Sequence, residues 1–158
     1  MDSLSTPWAA VAAALLLSAC TPDGERAAED KPVAEYRTIL GMRDLMHQVL
    51  EPAAEVIWDS AGYDITAAGE KNLAPTTDAG WERVADAAAV VMESANLLML
   101  PGRSREGGWN EISAGLADAG LAARAAAESR NDEALFSAGA RVYRVCVACH
   151  QIYWIRPQ

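Results

Sequence analysis

Apolar residues recur at steps of three and four along most of the chain, the spacing of one face of an α-helix. Over residues 33–60 they are Ile39, Met42, Met46, Val49, Leu50, Ala53 and Ile57, with Arg43, Asp44, Gln48, Glu51 and Glu55 on other faces. Pro52 falls inside this run. An interior proline lacks the N–H for a helical hydrogen bond and clashes with the preceding turn, which predicts a kink or a restart with Pro52 in the first turn. A second stripe, Trp81, Val84, Ala88, Val91, Ala95 and Leu98, predicts a helix over residues 78–100. Thr76, Thr77 and Asp78 offer caps at its start and Pro101-Gly102 stops it. A third segment starts near Gly108, carries Trp109, Ile112, Leu116 and Ala119, and ends near Ser129. Asn131 can cap a fourth, whose first turn holds Asp132 and Glu133 and whose stripe is Leu135, Ala138, Val142, Val145, Cys146 and Cys149. Residues 61–80 contain Gly62, Gly69, Pro75 and Gly80 and read mostly as loop. There is no sheet pattern and no internal repeat. Four amphipathic segments with mostly short connections predict an all-α, antiparallel four-helix bundle over residues 33–158.

The residues before this domain read differently. The run from Trp8 to Leu17 is apolar, too short to span a bilayer permanently, and suited to the core of a signal peptide. It leads into Leu17-Ser18-Ala19-Cys20, which resembles a bacterial lipobox. That resemblance implies cleavage before Cys20, a signal peptide of residues 1–19, and a lipid anchor on the Cys20 sulfur. Thr21 follows with no aspartate, which the same resemblance ties to outer-membrane sorting. The start departs from the usual pattern, because Asp2 is present and Lys and Arg are absent from residues 1–7. Residues 20–32 are polar and charged, with no apolar period, and read as a flexible tether. The expected location is the periplasm, anchored to a bacterial membrane.

Composition sharpens the picture. Thirteen Lys and Arg against 22 Asp and Glu give a formal charge of −9. An acidic chain with no basic cluster is a poor nucleic-acid binder, though it suits a basic protein partner. Three cysteines, two of them close together, do not make a disulfide framework.

Those two lie in Cys146-Val147-Ala148-Cys149-His150, the C-x-x-C-H pattern of c-type haem attachment. The spacing has a physical reason. Residues three apart share a helix face, so both sulfurs reach the vinyl groups of one porphyrin, and the next residue supplies an imidazole to its iron. Two other chemistries use such cysteines. A thioredoxin-like dithiol belongs after a strand in a βαβ context, and a zinc site needs further Cys or His ligands. Apart from His150, the remaining histidine is His47. The plain alternative is a pair of core cysteines packing as small hydrophobes.

With the motif in the last of four helical segments, the chain resembles the cytochrome c′ family, the class II cytochromes c. The resemblance covers roughly residues 33–158 in architecture, and its specific support is the stretch from Cys146 to Trp154. Members commonly follow the motif with two residues, an aromatic and an arginine; Tyr153 keeps the aromatic and Trp154 replaces the arginine. The resemblance implies one haem c per chain, held by Cys146 and Cys149, with His150 as proximal iron ligand. It implies either a sixth ligand from the first helix and electron transfer to a redox partner, or an open face that binds NO or CO. Met46 is the leading candidate for the sixth position, or for the wall above an open one. Met42 shares its stripe four residues earlier, and His47 is rotated by about 100°. Arg37 and Arg103 are candidates to approach a haem propionate, and Trp58, Trp81, Trp109 and Trp154 to wall the core or the haem pocket. Family members often dimerise through the first two helices, which makes a homodimer an expectation by analogy. Nothing in the chain forms a nucleophile–base–acid constellation or a phosphate loop, so the expectation is a carrier and not an enzyme.

Overall fold

A computed structural model describes residues 35–154; the expected signal peptide, Cys20 and the tether lie outside the described residues. The chain is mostly helical, with one small sheet. Helix α1 (Met42–Leu45) runs into a π-helical turn (Met46–Leu50) and then into α2 (Glu51–Asp59). Strands β1 (Tyr63–Thr66) and β2 (Gly69–Asn72) form an antiparallel hairpin. Helices α3 (Asp78–Met99), α4 (Trp109–Glu128) and α5 (Asp132–Tyr153) follow. α3 packs on α4, α4 on α5, and α2 on both α3 and α5.

The helix starts follow their caps. The Thr77 hydroxyl accepts from the Gly80 amide at 3.1 Å, and the Asn131 side chain accepts from the Ala134 amide at 2.9 Å. Each satisfies one of the orphan amides of a helix N-terminus. The core is built on Leu45, Ile57, Val84, Val91, Leu135 and Val142, all essentially sealed from solvent. Between α3 and α4 the packing is close. A β-carbon added at Gly120 would stand 2.8 Å from the Met92 side chain and 3.2 Å from the Ala88 carbonyl oxygen. Small side chains at Ala88, Ala119 and Ala123 let these two backbones approach.

Three expectations are corrected. The first helix begins at Met42, not near residue 33, and Ile39 is 79% exposed. Leu45, absent from the predicted stripe, takes the core position instead. The π turn is the reason: Leu45 and Leu50 are both buried at a spacing of five, and the Glu51 amide reaches back to the Met46 carbonyl. Widening this turn relieves Pro52, whose ring would otherwise strike the carbonyl of Gln48. The helix then restarts as α2 with proline in its first turn, one of the two expected outcomes. Second, residues 61–80 are not simply loop, because they hold the hairpin. All eight strand residues are exposed, so no inward–outward alternation marks them. Asn72 ties the hairpin to α5 by donating to the Asp132 carboxylate at 2.9 Å. That bond, before the Glu133 amide, holds the Asp132 carboxyl below its ordinary range. Third, Trp154 is 60% exposed and walls no core. It lies one step past the end of α5, with extended backbone.

Candidate haem cleft

The last three turns of α5 meet the π turn across a narrow apolar cleft. Met46, Cys146, Cys149 and His150 all line it, with Leu50, Leu98, Ile112, Leu116 and Val145 among its apolar walls. The side chains nearly close the cleft, leaving about 20 Å³ between them, so a porphyrin would enter only as these walls part. The two cysteines, three residues apart on α5, face it together and are half-buried and unbridged. His150 stands exposed at the rim, its ring edge-on to Trp154 with centroids 5.0 Å apart.

Burial, with the neighbouring Cys149 second, pushes the Cys146 thiol up from 9.0 to about 11. Burial also raises Cys149, opposed by the positive charge of Arg105. Both sulfurs therefore stay protonated at neutral pH. A redox dithiol works through a lowered thiol pKa, so this environment is the reverse of what a thioredoxin-like motif requires. The element that leads into α5 is helix α4, not a strand. Nor, among the described residues, do three His, Cys, Asp or Glu side chains converge into a metal-binding group, as zinc would need. Haem iron makes no such demand, since the porphyrin supplies four of its donors and the protein only axial ones. Two thiols on one helix face, an adjacent imidazole and a thioether opposite, in an apolar lining, fit a c-type haem in donor chemistry.

The three candidate ligands of the first helix part company. Met46 enters the cleft. Met42 lines a separate, neighbouring cleft. His47 is exposed and pairs with Glu51 at 2.7 Å, outside the cleft lining. Arg37 is exposed, whereas Arg103 is buried and donates to the carbonyls of Leu40 and Leu97 at 3.0 and 3.3 Å. Of the tryptophans, Trp109 is buried and donates its indole N–H to the Leu98 carbonyl at 2.8 Å. Trp81 is also in the core, and half-buried Trp58 donates to the Gly139 carbonyl at 3.0 Å.

In the loop between α3 and α4, Arg103 is a candidate from the sequence and Arg105 is not. Arg105 stacks over Trp109 at 5.3 Å, and Tyr153 meets the same indole edge-on at 4.8 Å. The Tyr153 hydroxyl donates to the Glu106 carbonyl at 2.9 Å. These contacts fasten the loop to the end of α5 and set a cation beside Cys149. The one available signal was the aromatic after the motif, because a half-buried tyrosine hydroxyl needs an acceptor.

The chain matches no protein-family model, no curated protein and no solved structure.

Proposed function

We propose that this chain is an exported c-type cytochrome of the class II kind, an antiparallel four-helix bundle carrying one covalent haem for single-electron transfer. The observation that carries the reading is the meeting of Met46 with Cys146, Cys149 and His150 in one apolar cleft. The haem supplies an iron that cycles between ferric and ferrous. The residues do the rest. Cys146 and Cys149 would hold the haem, each S–H adding across one vinyl double bond to give a thioether with no oxidant required. His150, at the rim, would offer an imidazole nitrogen to the iron. Met46 would offer a thioether, a donor that favours the ferrous state and raises the potential. The leucine walls exclude water and keep the iron's surroundings apolar.

The exposed His150 rim opens the site to solvent on one side, which suits exchange of electrons with a protein partner. The same surroundings would serve a gas-binding protein if Met46 only packed over the iron, so the sixth position decides between the two. Optical spectra of the haem-loaded protein, ferric, ferrous and with CO, test this. Sharp ferrous bands unmoved by CO are expected, with CO binding appearing in Met46→Ala. A high-spin ferrous spectrum that CO shifts in the unmutated protein transfers the assignment to a sensor or scavenger of NO or CO. A chain that leaves the maturation machinery without covalent haem would falsify both.

A further inference from the structure

Beside the haem cleft, the segment leading into α1 and the loop after α3 enclose a second cleft, lined by Thr38, Leu40, Gly41, Arg103, Ser104 and Arg105. Its lining is polar where the first is apolar. Arg103 is only 9% exposed. Two of its nitrogens are taken by the carbonyls of Leu40 and Leu97, while Nε is buried with no partner. Carbonyls satisfy N–H groups but carry no charge. Among the described residues no carboxylate lies within ion-pair distance of Arg103 or Arg105, whereas Arg124 has Glu128 and Arg130 has Asp78. Carboxylates outnumber cations in this chain, 22 against 13, so the lack of one here is not a matter of supply. A guanidinium cannot shed its proton, and a buried charge without a counter-charge is costly. Its planar fork matches a carboxylate, and its stem is already held by backbone carbonyls.

We propose that this second cleft is a carboxylate-binding site, with Arg103 as its buried anchor and Arg105 as its outer cation. The carboxylate has two possible sources. One is a small free acid. The other is a propionate of the haem, because Met42 lines this cleft while Met46 lines the next, and Arg105 acts on Cys149; only this second source rests on the haem reading.

The test uses the full chain, haem-free and haem-loaded, with the arginine Nε–H signals followed by NMR during titration with sodium propionate. Sodium chloride at matched ionic strength is the control. In the haem-free chain the Arg103 signal should shift saturably with propionate alone. Arg105→Gln, at an exposed position, should weaken that binding about tenfold. Arg103→Lys assigns the signal; if it does not fold, the Arg105→Gln comparison still stands. In the haem-loaded chain, loss of the response identifies the haem's own carboxylate as occupant, and its persistence identifies a free acid. Either result upholds the site. No saturable shift in the haem-free chain overturns it. Failure of the haem reading shows separately, as protein without colour on a denaturing gel.

Discussion

At the scale of single residues, Cys146 and Cys149 share a motif but not an environment. Cys146 is the more strongly shifted, to about 11, while Cys149 feels the opposing charge of Arg105. A thiol whose folded pKa lies above its unfolded value binds its proton more tightly in the native state. Its contribution to stability is therefore complete below pH 9.0 and is lost as pH rises through about 11. Urea unfolding of the haem-free chain should show that alkaline loss, and Cys146→Ala should flatten it. The haem-loaded protein should lack it too, because a thioether has no proton to release. Most of the cleft's chemistry was legible in the sequence: spacing placed the two sulfurs on one face, and the helical stripe placed Met46 ahead of His47. Arg105 was not legible, since its position follows from a loop folding back on Trp109, and no periodicity describes a loop. Arg103 was noticed as a cation, but its burial depends on the carbonyl of Leu40, sixty-three residues away in the chain.

At the scale of elements, the three longest helices lie within a residue or two of where their stripes and caps placed them, since amphipathic period and capping act locally. The first helix did not, because a π turn inserts one residue into the period and shifts the inward face from Met42 to Leu45. The hairpin was hidden for the opposite reason: with both faces exposed it has no pattern to show. The α3–α4 contact makes a sharper claim. Gly120→Val should cost about 1–3 kcal/mol, because branched carbon must enter space held by Met92 and the backbone at Ala88. Thermal unfolding of the variant measures this directly. A stability equal to the parent's would mean the two helices can separate there freely.

At the scale of the whole molecule, the formal charge of −9 suits the proposed electron exchange to a basic partner, and association with one should weaken as salt screens the attraction. The proposed anchor adds a separate test. Cys20→Ser should move the protein from the membrane fraction to the soluble one and abolish fatty-acid labelling, leaving the haem spectrum unchanged. Retention in the membrane with full labelling would remove Cys20 from the account.

Met46 and His150 share a cleft, yet about a hundred residues of chain separate them. Joined through one iron, they would close that span as a cross-link does. Chain-entropy reasoning for a loop of that length gives roughly 4.7 kcal/mol. The metal would then clasp the first described helix to the last, and a ligand strong enough to displace Met46 would unbuckle the protein as well as fill its iron. Melting the haem-loaded protein beside its Met46→Ala variant, which should unfold at the lower temperature, would read mechanical strength from a chemical bond.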